Sequence, residues 1–239
     1  MGPSQNLVVV LVSTRNPLNI GAVARAIGNF GFSQLRVVDP YEPSFREARS
    51  AVGASKILSR AKEYAGVAEA IADCELVVGT TSGRDRKLDD GLRILHVGSR
   101  AIRKRLGSGR VGLLFGSEKR GLSNQDLSHC HWLLRIPTSD EVPSMNLGQA
   151  VAVCLYEIAN APVTTSRVSR KQVAASVDLE RMTLLLTELL AASGYTIPGS
   201  ETRAEQKLRQ MIRRLEISSE DSQTWQGMLR QIQWKLRHS

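Results

Sequence analysis

Two textures alternate along the first two thirds of the chain. Short, unbroken apolar runs stop abruptly at small polar residues, and between them lie stretches with apolar positions three and four residues apart. The first run is Leu7-Val8-Val9-Val10-Leu11-Val12, and its length and β-branching predict a strand buried on both faces of a parallel sheet. Further strands are predicted at Leu35–Val38, stopped by Asp39-Pro40, at Leu76–Thr80, at Val111–Phe115 and at Trp132–Ile136, stopped by Pro137. The segments between them predict helices: one with Ile20, Val23, Ala24, Ile27 and Phe30 on one face, short helical pieces around Ala48–Val52 and Val67–Ala72, a basic one at Ser99–Leu106, and a strong amphipathic one at Leu147–Asn160. Strands alternating with helices predict an α/β fold with a mainly parallel sheet.

The texture changes at Val163. From there to Val177 the chain is polar and aperiodic and reads as a linker. Three helices are expected beyond it: one capped by Asp178 and ending at Gly194, one from about Glu201 to Leu215, and one from about Asp221 to Arg237. In the last, Trp225, Met228, Leu229, Ile232 and Leu236 form one apolar stripe. The opposite faces carry Arg209, Arg213, Arg214, Arg230, Lys235 and Arg237, which read either as a solvated face or as a surface for phosphates. The domain reading is therefore residues 1–162 for the α/β domain, 163–177 for the linker and 178–239 for a small all-α domain.

The composition narrows the partner. A chain of 239 residues with net charge +9 is basic enough to point to a polyanion, of which nucleic acid is the commonest. No apolar run approaches the roughly 20 residues that span a bilayer, and MGPSQN has no basic, then apolar, leader pattern. Cys74, Cys130 and Cys154 are scattered and odd in number, which fits a reducing compartment. His129-Cys130-His131 is too closely spaced for a zinc site, so no metal is expected.

Candidate chemistry gathers where strands end. After the first run come Asn19, Gly21 and Arg25; Asn19 is expected to cap the helix and Gly21 to permit a close backbone approach. Alone, these residues are equally a cap and a solvated charge. Gly107 to Gly112 fits G-x-G-x-x-G but precedes a strand, so it reads as a helix-to-strand turn rather than a dinucleotide fingerprint. The segment Leu113 to Leu122, LLFGSEKRGL, puts a strand end before a glycine-bounded loop carrying Glu118. The segment Ile136 to Ala150, IPTSDEVPSMNLGQA, puts a polar loop with Ser144 and Asn146 at a helix start.

In this order and at these separations, the three segments resemble the three motifs of the SpoU family, in the SPOUT class of RNA methyltransferases. The likeness spans about residues 5 to 160; Met145 stands where leucine is usual. Within the family the chain is most similar to the tRNA ribose 2'-O-methyltransferases acting at position 32 of the anticodon loop. Asp178-Leu179-Glu180-Arg181, Gly194-Tyr195 and Lys207-Leu208-Arg209 resemble their helical extension.

The resemblance implies a SPOUT fold whose C-terminal part is a trefoil knot, with S-adenosylmethionine bent within it. Cofactor-binding residues would be Thr80, Thr81, Ser82, Gly116, Ile136, Pro143, Ser144, Met145 and Leu147. Arg25 would be the central catalytic residue, with Asn19, Glu118, Ser144 and Asn146 completing the catalytic set. It further implies tRNA as substrate, a homodimer through the knot region and a cytoplasmic location, without a membrane. Methylation of ribosomal RNA, or RNA binding without catalysis, are the alternatives.

Overall fold

The computed structural model describes residues 5–50, 56–82, 91–162 and 172–238. In chain order the elements are β1 (Leu7–Val12), α1 (Pro17–Asn29), β2 (Gln34–Val38), α2 (Glu42–Ser50), α3 (Lys56–Ser59), β3 (Lys62–Tyr64), α4 (Val67–Ala70), β4 (Leu76–Thr80), β5 (Leu92–Ile94), α5 (Leu95–Leu106), β6 (Val111–Phe115), α6 (Asn124–Ser128), β7 (Trp132–Arg135), α7 (Leu147–Asn160), α8 (Ser176–Ala192), α9 (Glu201–Arg214) and α10 (Ser219–Arg237). The five strands read from apolar runs are present, and the sheet has seven strands in the order β3-β2-β1-β6-β4-β7-β5, every pair parallel. The two additional strands, β3 and β5, are three-residue edge strands.

Alternate residues of β1 feed two cores. Leu7, Val9 and Leu11 pack with α1, α2, α5 and α7 through Ile20, Ile27, Phe45, Ile102 and Val151. Val8, Val10 and Val12 pack with α4 and α6 through Ile71 and Leu127. Every residue of β1 is buried because both faces are covered. The buried charge of β2, Arg36, is 7% exposed and forks onto Asp73 at 2.6 and 2.9 Å. Burial disfavours both charges, yet this pairing holds the Asp73 carboxyl down at about 2.

α8 and α9 pack around Ala174, Leu179, Met182, Leu208 and Ile212, and α10 lies against α8. Three expectations change here. Asp178 does not cap α8: the helix starts at Ser176, whose N–H donates to the Cys74 carbonyl at 2.8 Å, while that of Val177 donates to the Ala72 carbonyl at 3.0 Å. The α/β body thus takes up the donors that a capping side chain would have satisfied. Arg209 and Arg213 are not surface cations: they are 2% and 1% exposed. Finally, only Leu229 of the α10 stripe is buried; Trp225, Met228, Ile232 and Leu236 stand exposed. Of the segment read as a linker, residues 163–171 lie outside the described residues, and Val173 already bridges to Ser218.

Arg209 and Arg213 are buried because Glu180 is there to meet them. Arg209 donates to the Glu180 carboxylate through Nε at 2.9 Å and Nη2 at 2.8 Å, and through Nη1 to Ser128 Oγ at 3.1 Å. Arg213 reaches Glu180 at 3.5 Å and Ser176 Oγ at 3.2 Å. Burial alone would raise the Glu180 pKa, but the Arg209 hydrogen bonds and the two guanidinium charges carry it below the ordinary carboxylate value. This network joins α8 and α9 to the end of α6.

Candidate active site

The carboxyl ends of β1, β4, β6 and β7 lie along one edge of the sheet, where open α/β folds hold ligands. After β1, Asn16 caps α1, its Oδ1 accepting from the Leu18 N–H at 2.9 Å, and Pro17 takes the first helical turn. The cap is therefore Asn16, not Asn19. Asn19 sits one turn in, 9% exposed, with its amide turned towards the other two motifs. Its Nδ2 donates to Glu118 Oε1 at 2.9 Å, and its Oδ1 accepts from Asn146 Nδ2 at 2.9 Å. Asn146 in turn caps α7, its Oδ1 accepting from the Gly148 and Gln149 N–H groups at 2.9 and 3.4 Å. The other Glu118 oxygen accepts from the Arg15 N–H at 3.5 Å. One relay, Glu118–Asn19–Asn146, thus ties all three loops together. Because a carboxylate only accepts, it fixes which end of the Asn19 amide faces which neighbour.

The close approach expected at Gly21 is absent among the described residues; a Cβ there would meet nothing within 4 Å. The tight contact is at Gly148, where a Cβ would lie 2.7 Å from Ala22 Cβ, so α7 starts against α1. The loop after β6 folds back on itself. Gly121 N–H donates to the Ser117 carbonyl at 2.8 Å, and a Cβ on Gly116 would fall 2.0 Å from the Gly121 carbonyl carbon. In the loop after β7, Thr138 Oγ1 donates to the Pro143 carbonyl at 3.0 Å, presenting Ser144 and Met145 ahead of α7.

Thr80, Thr81, Ser82, Gly116, Ile136, Pro143, Ser144, Met145 and Leu147 all border one cavity of about 440 Å³. Its walls are apolar at Phe115, Leu134, Ile136 and Leu147 and hydroxyl-bearing at Thr80, Thr138 and Ser144. Thr80 Oγ1 is held by the Leu114 carbonyl at 2.8 Å, whereas the Ser144 hydroxyl has no partner among the described residues. A second, wider depression of about 1200 Å³ lies on the other side of the Ser117–Leu122 loop, against Arg15, Asn16 and Asn19. Lys119 and Arg120 belong to both linings. This shared wall, and the Arg15 guanidinium stacked 5.7 Å over the Tyr41 ring, went unread in the sequence because neither has a spacing signal.

Arg25 is not brought into this group. It is exposed on α1, borders neither depression and has no hydrogen-bond or ion-pair partner among the described residues. His129, Cys130 and His131 are buried and separately engaged. His131 Nδ1 accepts from the Val77 N–H at 3.0 Å, and His129 Nδ1 lies 3.6 Å from Glu180. Burial and the nearby arginines push both histidines down to about 3. Among the described residues, no group of three or more His, Cys, Asp or Glu side chains is placed to hold a metal, and no helix is long and apolar enough to cross a membrane.

A parallel sheet with three motif loops tied together beside a cofactor-sized cavity defines a class, and residues 6–156 match the model of the SpoU rRNA Methylase family. The chain belongs to the SpoU methylase family. Among curated relatives it is similar to the tRNA (cytidine/uridine-2'-O-)-methyltransferase TrmJ of Sodalis glossinidius, with 34% identity over 95% of this chain and 91% of that protein. It is also similar to TrmJ of Klebsiella pneumoniae, with 33% identity over 96% and 97% of the two chains. Its fold is similar to the crystal structure of TrmJ from Z. mobilis ZM4, with a TM-score of 0.83 and 31% identity, covering 95% of this chain and 98% of that one.

Proposed function

We propose that this chain transfers a methyl group from S-adenosylmethionine to a ribose 2'-hydroxyl of tRNA, at nucleotide 32 of the anticodon loop, in the cytoplasm. The observation that carries this reading is the convergence of nine expected cofactor residues, from strand ends far apart in the chain, on one cavity beside the Glu118–Asn19–Asn146 relay. Its volume, about 440 Å³, lies in the range usual for small-molecule sites. Leu134, Ile136 and Leu147 would take a flat adenine ring, and the hydroxyls of Thr80, Thr138 and Ser144 would take the polar groups of ribose and amino acid.

When bound, S-adenosylmethionine supplies a methyl already activated by its sulfonium charge. The protein must align the 2'-hydroxyl and manage its proton. Arginine is a poor proton acceptor at neutral pH. Arg25 therefore acts as a catalytic electrostatic clamp, gripping a substrate phosphate and stabilising the alkoxide that develops. Asn19 is a positioning residue that holds Glu118 and Asn146, and Ser144 meets the ribose.

Arg25 stands outside the cavity of its own chain, which supports a catalytic face shared between two copies in a homodimer joined through the knot region. The insertion of β6 between β1 and β4, and of β7 between β4 and β5, supports the trefoil knot after Gly116. Residues 1–162 would supply the methyltransferase domain, and the helical domain for RNA or dimer contacts would begin by Val173, which bridges to Ser218, rather than at residue 178.

The test is transfer of labelled methyl from S-adenosylmethionine to unmodified tRNA, with ribosomal RNA alongside, and mapping of the product. The expected result is a 2'-O-methyl at position 32. Arg25→Ala should lower it by a factor on the order of 10² to 10³ while cofactor binding persists. Near-normal activity in Arg25→Lys would remove the requirement for a guanidinium. Label in ribosomal RNA alone, the substrate named by the matching family's description, would overturn the tRNA assignment.

A further inference from the structure

Helix α10 is built inside out. Its face against α8 is largely polar: Ser222, Gln226 and Leu229 are its buried residues, Gln226 Nε2 reaches the Asp178 carbonyl at 3.5 Å, and Gln233 bonds Glu188. Its apolar face points away from the body. Trp225, Met228, Ile232 and Leu236, spaced three, four and four residues apart, are 47%, 47%, 50% and 53% exposed. That spacing keeps the row on one side over most of the helix. At the N-terminal end the row runs into a depression of about 440 Å³ bordered by Trp225, Asp221, Leu215, Ile217 and Val173, where Leu215 is itself 61% exposed. Single exposed apolar side chains are ordinary, but a continuous row that ends in a depression walled by Val173, Leu215 and Ile217 marks a contact surface.

We propose that this face pairs with the same face of a second copy, the two α10 helices running antiparallel about a two-fold axis beside Met228. Charge selects the direction. Asp221 and Lys235 lie on the same edge of the row, at opposite ends, so Lys235 flanks the stripe rather than standing on the face opposite it as expected above. Antiparallel pairing brings Asp221 to the partner's Lys235 twice over, whereas parallel pairing carries the charged edge of one copy to the opposite side of the other and forms neither pair. The helix dipoles favour the same choice. With Met228 at the axis, Trp225 meets the partner's Ile232, and Leu236 reaches the depression beside the partner's Trp225. A self-complementary patch of this kind is what a two-fold interface requires. RNA fits the row poorly, because a phosphate backbone needs cations and the charges lining the depression are the Glu216 and Asp221 carboxylates. The row is small against the roughly 20–30 residues a side of a standard interface. The pairing therefore adds to another contact between copies, or forms a weak dimer by itself.

Cysteine cross-linking of the full chain tests this, since Cys74, Cys130 and Cys154 are buried. Under mild oxidation Met228→Cys should give a covalent dimer on a non-reducing gel. Gln223→Cys, on the same helix but off the row, should not. A mixture of Trp225→Cys and Ile232→Cys should link in trans far better than either alone, and adding Ile232→Glu to Met228→Cys should abolish the link. Equal linking of Met228→Cys and Gln223→Cys would overturn the proposal, as would self-linking of Trp225→Cys above the mixture. Absence of the Met228→Cys link, together with a tryptophan emission shift only when tRNA is added, would also overturn it and assign the row to RNA.

Discussion

The α/β body and the C-terminal helices hold themselves together by opposite means. In the body, apolar strands are sealed on both faces: all of β1 is buried, and the motif loops hang from that rigid frame. The helices attach to it through a buried cluster of charges, Glu180 with Arg209 and Arg213, and leave the apolar row of α10 outside. Apolar burial is non-directional and tolerates small changes; a buried charge cluster depends on every member. The body is thus the tolerant half and the seam the fragile one, although the site at the sheet edge depends on both a tight loop and a polar relay.

The sharpest way to break this contrast is at the seam. Glu180→Gln leaves Arg209 with Glu205 as its remaining carboxylate and removes the carboxylate that the buried Arg213 faces, and should cost about 3–5 kcal/mol. Denaturation followed by tryptophan fluorescence, with limited proteolysis, should show α8 to α10 released before the sheet; unchanged stability would deny the network its docking role. Next comes the tolerant half at its least tolerant point. Gly116→Ala puts a methyl 2.0 Å from the Gly121 backbone, and should cost about 1–3 kcal/mol and remove cofactor binding, read by calorimetry.

Acid sharpens the comparison more gently. His129 at the seam and His131 in the body are both held neutral, pushed down to about 3 from an ordinary value near 6.5. Between these values the unfolded chain binds protons that the folded chain does not, so stability is full above about pH 6.5 and falls as pH drops towards 3. One unit below 6.5 the loss should be on the order of 1 kcal/mol per histidine. His131→Asn, which keeps an acceptor for the Val77 amide, should flatten the slope of chemical-denaturation stability against pH; an unchanged slope would exclude His131 as its source. The smallest effect is a control: Arg46→Ala removes an exposed 3.1 Å pair with Glu42 and should change thermal stability by less than about 0.5 kcal/mol.

Much of the body was legible in the chain. The runs at Leu7–Val12, Leu76–Thr80 and Val111–Phe115 have no other way to be buried than as central strands, and each is one. β3 and β5 went unread because three-residue edge strands such as Lys62–Tyr64 carry no apolar run. That Thr80, Gly116, Ile136 and Ser144 border one cavity was legible through the motif resemblance, not through periodicity. Asn19 was read as a cap because it stands before an apolar helical face, yet Asn16 does that work and frees Asn19 to join Glu118 and Asn146.

What the sequence by itself determined was the set of local choices: which segments are extended, which are helical, and that polar loops follow the strands. Those follow from side-chain shape and short-range pattern, and they survive in any packing. Only the tertiary structure decided partners. Periodicity shows that Trp225, Met228, Ile232 and Leu236 share a side, but not that this side faces out. Arg209 and Arg213 look like surface cations until Glu180, 29 and 33 residues earlier, is folded against them. A face or a charge becomes inner or outer only by what lies opposite it, and that is a property of the assembled chain.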